Sequence, residues 1–122
     1  MNLRNRPIFR VLLPLLTYLL ILYASSRTGA ALERIDLKIP DSILHFLEYC
    51  LLSLSLQPLL RNRRFSLVIT LSLVALLAGM DEGLQSLVPG RHCSIRDGSM
   101  DLLGGATGWL LVRWWKKSPP AS

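Results

Sequence analysis

The most constraining feature of this chain is how its apolar residues are grouped. They fall in four blocks, at about 8–24, 42–60, 65–82 and 97–115, with most of the charge in the short segments between them. The third block opens with sixteen residues, Phe65 to Met80, that carry no charge at all. A helix in a soluble bundle needs a polar face repeating every ~3.6 residues, and the few Ser and Thr of this stretch cannot supply one. Each block, at ~1.5 Å per residue, meets roughly the lower limit of ~17 residues for spanning a hydrocarbon core of ~30 Å. The chain therefore reads as an all-α, four-helix transmembrane bundle, one domain over 1–117 followed by a short tail at 118–122 expected to be disordered.

Composition agrees with lipid as the solvent. Only 18% of the 122 residues are charged, against ~25% in an average soluble domain. The net charge of +6 does not point to nucleic acid, because the basic residues flank the apolar blocks and form no basic helix face. Cys50 and Cys93 have no metal or redox spacing and read as unpaired thiols.

The first block holds Pro14, which a membrane helix tolerates better than a lone soluble one. Arg4, Arg6 and Arg10 before it, with Ala24-Ser25-Ser26 after it, leave a cleaved signal peptide open as an alternative. Ser25 to Asp41 reads as a polar loop. The basic turn at Arg61, Arg63 and Arg64 reads as a tight helical hairpin. The helix of the third block continues through Gln85 before a turn at Pro89-Gly90. The fourth block begins with a polar third, so hydropathy ranks it weakest, and it ends in an aromatic belt at Trp114 and Trp115.

Charge sets the expected orientation. The N-terminal segment, the second loop and the C-terminal segment together hold nine of the 14 basic residues and none of the eight acids. The positive-inside rule then places both termini in the cytoplasm, and the chain reads as a multi-pass membrane protein.

On that topology the polar residues of the spans collect at one level, near the non-cytoplasmic leaflet. Asp41, His45 and Glu48 share one face of the second helix. Asp81, Glu82 and Gln85 arrive at the far end of the third, and Asp97 and Asp101 enter with the fourth. A carboxylate in hydrocarbon costs ~2.5–3.5 kcal/mol, so these groups should face inward and pair. Glu48 and Asp101 are the deepest, with His45 and a loop arginine, Arg91 or Arg96, as expected partners. They serve either as polar contacts between helices or as a site for an external or lipid-borne group. A metal site of Asp41, His45, Glu48 and Asp101 is conceivable, but one histidine with scattered acids is a weak signal, and no metal or cofactor is assigned. Gly104 and Gly108 form a GxxxG step on the stripe of Asp97 and Asp101, read as tight packing inside the protein. Ser53, Ser55 and Ser72 are expected to bond back to their own helices.

Several of these segments resemble the VanZ-like family. The resemblance begins with YASSRTG at Tyr23 to Gly29 and continues through Asp41, His45, Phe46 and Tyr49. It is strongest in DEGLQSLVPGR, Asp81 to Arg91, with Ser94 and Asp97 following, and it ends at Gly104 and Gly108. Two positions depart from the family pattern: Ser42 stands where lysine is usual, and Asp101 where asparagine is usual. The resemblance implies a bacterial envelope protein with several membrane helices, in a family named for low-level teicoplanin resistance. It implies Asp41, His45, Tyr49, Asp81, Glu82, Gln85, Arg91, Ser94 and Asp97 as binding residues, to which the reading of the spans adds Asp101. The expected partners are membrane lipids and a lipid-linked cell-wall precursor or other envelope proteins.

Two other functions stay open. His45, with Asp41 or Glu82, would serve as general acid/base in an enzyme acting on a lipid phosphate or glycan, although no nucleophile elbow, phosphate loop or metal motif supports catalysis. A structural accessory subunit needs only the pairing of the acids. The orientation makes a direct prediction. A reporter fused after Ser122 should behave as cytoplasmic, fluorescent as a green fluorescent protein fusion and inactive as an alkaline phosphatase fusion. The opposite pattern would overturn the topology.

Overall fold

Four α-helices account for the fold, which is described here from a computed structural model for residues 7–35, 39–60, 63–89 and 93–117, with backbone only for 27–35. They are α1 (Pro7–Ile35), α2 (Asp41–Leu60), α3 (Ser66–Gln85) and α4 (Ile95–Lys117). Among the described residues there is no strand. Three helical segments, Pro7–Ser26, Asp41–Leu60 and Ser66–Gln85, are long and apolar enough to cross a membrane. α4 is not among them: Asp101 and Arg113 lie inside it and much of the rest is Gly, Ser, Thr and Trp, which leaves it less apolar than the other three. The 118–122 tail lies outside the described residues.

The helix limits follow from local chemistry. Pro7 opens α1, where its missing N–H costs nothing. Asp41 stands in the first turn of α2, its charge favoured by the helix dipole. Ile43 N–H and Leu44 N–H there donate to the Pro40 carbonyl, at 2.9 and 3.4 Å. The α2–α3 connection is a tight hairpin: Arg63 N–H donates to Leu60 O at 3.0 Å and Ser66 N–H to Arg63 O at 3.2 Å. Ser94 caps α4, its Oγ accepting from Asp97 N–H at 3.4 Å.

One expectation fails. The segment from Ser25 to Asp41 is not a loop over its whole length, because α1 continues to Ile35. Its residues include Ala30, Ala31, Leu32, Glu33 and Arg34, all good helix formers. Polarity marked the end of the apolar block, and propensity carried the helix about 15 Å beyond Ser25.

α2 is the centre of the bundle. It packs most extensively on α4, with α3 against α4 and α1 against α2 next, while α1 and α3 meet least. Among the described side chains, 7–26, α1 buries the stripe Pro14, Tyr18, Ile21 and Ser25, and α3 buries the stripe Ser66, Thr70, Val74, Ala78, Asp81 and Gln85. The rest of these surfaces is apolar and exposed, from Ile8 through Leu20 on α1 and at Val68, Leu76 and Met80 on α3. The interior is the more polar part. Among the described residues, eleven polar or charged ones are buried against nine hydrophobic ones, the reverse of a protein folded in water and the distribution expected when the surrounding solvent is lipid.

The α2–α4 contact depends on small residues. A Cβ at Gly104 would run into the Phe46 carbonyl and lie 3.0 Å from Cys50 N, and one at Gly108 would lie 2.5 Å from Cys50 O and 2.8 Å from Ser53 Cβ. A Cβ at Gly105 would lie 2.9 Å from Val74 Cγ2 on α3. This is close backbone approach of the small-xxx-small kind. Ser53 Oγ uses it to donate to Gly105 O at 2.7 Å, so Ser53 bonds across to α4 and not back to its own helix. Ser55 does bond back, to Leu52 O at 2.6 Å. Lower in the bundle Gln57 Nε2 donates to Thr70 Oγ1 at 3.3 Å, and Trp109 Nε1 to Ser66 Oγ at 3.1 Å.

Gly108→Leu should therefore destabilise the protein by about 1–3 kcal/mol through overpacking. Gly79→Ala, at a helical glycine with nothing within 4 Å of its Cβ position, should stabilise it by up to about 1 kcal/mol. Unfolding in detergent, followed by helical circular dichroism, reads both.

Candidate functional site

The polar cluster sits where α2 and α4 begin and α3 ends. His45 is one turn into α2, Asp81 and Glu82 lie in the last turns of α3, and Asp101 is six residues into α4. Close packing of α2 on α4 brings two of them into contact. His45 Nδ1 lies 2.9 Å from Asp101 Oδ1, with the side chains 6% and 1% exposed. An ionised carboxylate only accepts, so the imidazole donates from Nδ1. This is the pairing the sequence suggested for Asp101. Of the two loop arginines, Arg96 is exposed in the first turn of α4, and Arg91 lies outside the described residues.

Asp81 is held separately. Its Oδ2 accepts from Ser25 Oγ on α1 and from Gln85 Nε2 one turn along α3, both at 3.0 Å. The sequence reading missed Ser25. Its signal was the spacing of Pro14, Tyr18, Ile21 and Ser25, which puts all four on one stripe of α1. Tyr18 on that stripe also reaches α3, donating from its hydroxyl to Leu77 O at 2.9 Å.

Glu82 is half-buried at the rim. The backbone N–H of Ser94 donates to its Oε2 at 3.3 Å, tying the end of α3 to the start of α4. Asp97, half-buried in the first turn of α4, and Glu48, half-buried on α2, lie within electrostatic reach of His45. Asp41 is exposed at the first residue of α2. Tyr49 is completely buried one turn below His45, within electrostatic reach of Asp81 and Asp101.

Among the described residues, three buried oxygens in this region have no hydrogen-bond partner: Tyr49 Oη, Glu82 Oε1 and Asp101 Oδ2. Buried polar atoms are nearly always satisfied, so three unpartnered ones together set this end of the bundle apart from the rest of its interior. One ring nitrogen of His45, one carboxylate oxygen of Glu82 and one of Asp101 lie within 4.8 Å of one another. This set shares His45 and Asp101 with the metal-ligand set conceivable from sequence. Glu82 stands in it, and Asp41 and Glu48 do not. Cys50 is buried and Cys93 exposed, and both are free thiols.

Removing the imidazole should expose the cost of the buried acid. His45→Leu should lose about 3–5 kcal/mol of stability, because it leaves a buried carboxylate without its partner. Adding Asp101→Leu should recover most of that loss. Equal stability of the single and double variants in reversible detergent unfolding would show that the pair does not form.

Neither a curated protein nor a solved structure matches this chain. The family model described as VanZ/LLP1 matches it over residues 11–116. That match takes in all of α2 and α3 and most of α1 and α4, and it covers every residue of the cluster. The chain belongs to the VanZ/LLP1 family.

Proposed function

We propose that this VanZ/LLP1 protein is a multi-pass protein of the bacterial cytoplasmic membrane, with α4 as a fourth span and both termini in the cytoplasm. Its cluster would then open toward the outer leaflet and bind a polar group of a lipid-linked or cell-wall-related molecule. The observation that carries this reading is the set of unpartnered buried oxygens on Tyr49, Glu82 and Asp101. Ionisable residues inside a membrane bundle are expensive and mark functional sites by default. Here they are concentrated at one end of the bundle, while the opposite half holds neutral Ser, Thr and Gln contacts.

The chemistry of the cluster narrows what would bind. Asp81, Glu82 and Asp101 are acceptors, and Asp81 already has two donors. A ligand seated on Glu82, Asp101 and Tyr49 would present hydroxyls or an amine, as a glycan or a peptide terminus does, or would come with a cation. An anionic part of the same molecule would be met by Arg91 in the following loop.

The His45–Asp101 contact favours a second reading, an acid/base enzyme on a lipid phosphate or glycan. A carboxylate that fixes an imidazole's orientation through Nδ1 leaves Nε2 for proton transfer. Asp101 holds that position in the structure, where the sequence pointed to Asp41 or Glu82.

Expression in a glycopeptide-susceptible bacterial strain tests the first reading. The wild-type chain should raise the teicoplanin concentration needed to stop growth, and Glu82→Gln should abolish the rise at unchanged abundance in the membrane. Loss of protection only in step with loss of protein would leave a structural accessory role. No protection by the wild-type chain would contradict the link to resistance.

A further inference from the structure

We propose that His45, Glu82 and Asp101 hold a divalent transition cation of the zinc or manganese kind. The inference rests on reading the cluster as a binding site and goes beyond it by naming an occupant.

The argument begins with how each side chain is held. Asp101 has Oδ1 committed to His45 Nδ1 and Oδ2 without a partner. Glu82 has Oε2 committed to the Ser94 N–H and Oε1 without a partner. His45 Nδ1 and Asp101 Oδ1 lie 2.9 Å apart, close to the separation of two ligand atoms on one ion, so a cation can take the place of the proton between them. Glu82 Oε1 and Asp101 Oδ2 are the further oxygens without a partner among the described residues.

Spacing and charge agree. The three ligand atoms come from three helices, α2, α3 and α4, and lie within 4.8 Å of one another. Metal–ligand distances of ~2.1 Å require ligand atoms ~3–3.5 Å apart. Closing the difference takes a shift of about an ångström, which the rotatable bonds of the half-buried Glu82 side chain can supply. Glu82 and Asp101 together carry two negative charges, and with a neutral imidazole they balance a divalent ion. Without an ion, the second carboxylate charge has no cation against it among the described residues.

The donor set selects the class of ion. An imidazole with two carboxylate oxygens suits zinc, manganese or iron(II), whereas magnesium and calcium prefer oxygen alone. Three protein ligands leave at least one coordination position open. A phosphate or carboxylate oxygen could fill it, which would let an acid-rich pocket accept an anionic lipid group.

The test uses the full chain in lipid nanodiscs, stripped with a chelator and titrated with Zn2+ alone and Mn2+ alone. One equivalent of at least one of the two ions should bind and raise the thermal midpoint. Glu82→Gln should weaken that binding by about tenfold or more, with helical content and the metal-free midpoint close to wild type. Ser72→Ala, on the exposed face of α3, should bind as wild type does. Should Asp101→Asn or His45→Ala fail to fold, Glu82→Gln decides alone. No stoichiometric binding of either ion, or binding unchanged by Glu82→Gln, would overturn the proposal. The readout needs no antibiotic. A chain that takes up the ion without protecting cells keeps this inference and loses the resistance link, and protection without ion uptake does the reverse.

Discussion

The arrangement depends on the close approach of α2 and α4. Gly104 and Gly108 present bare backbone to Phe46, Cys50 and Ser53, so the two helices meet at a distance that no larger residue would allow. Lipid gives two apolar helices no hydrophobic reason to associate, so dispersion contact and interhelical hydrogen bonds must do it. The Ser53–Gly105 bond forms because Gly104 and Gly108 let α2 come within reach of the Gly105 carbonyl. One turn above Gly105, the same proximity sets Asp101 against His45. The site is thus a consequence of the seam: move α4 outward by the width of a methyl group and the imidazole loses its partner.

Burial of polar groups follows from the same constraint. A carboxylate facing hydrocarbon would cost several kcal/mol, and the bundle places its acids at the interior end of α3 and α4, where other helices supply donors. Asp81 is satisfied by Ser25 and Gln85, Glu82 in part by Ser94, and Asp101 in part by His45. What remains is asymmetric. Below Tyr49 the polar contacts are closed, with Ser53, Gln57 and Thr70 bonded to protein atoms. At and above Tyr49 three oxygens remain open. Closed polar contacts hold helices together, and open ones leave room for something else to bind.

Much of the fold was legible because lipid imposes simple rules. An uncharged run such as Phe65 to Met80 has one solution, and the helix pair around Arg63 follows from the shortness of the segment between two such runs. The glycine stripe on α4 was readable from its i, i+4 spacing with Asp101. The extension of α1 to Ile35 was not read, because polarity ends an apolar block without ending a helix. Within the site, residues on one helix face could be grouped from sequence, as His45 was with Asp41 and Glu48. Which face meets which neighbour could not. The structure turns His45 toward Asp101 and leaves Asp41 exposed, and it brings in Ser25 from α1, at a position the sequence reading assigned to a polar loop. Pairing between helices is set by rotation about each axis, and a single sequence fixes that only weakly.

The contact between His45 and Asp101 is the part of this account most open to direct observation, because the chain has only two histidines. Nitrogen-15 spectra of the His92→Gln protein in nanodiscs report the ring of His45 alone. A protonated, strongly hydrogen-bonded Nδ1 that changes on Asp101→Asn is the expected result. A ring with the spectrum of a free, water-exposed imidazole, indifferent to Asp101→Asn, would contradict it.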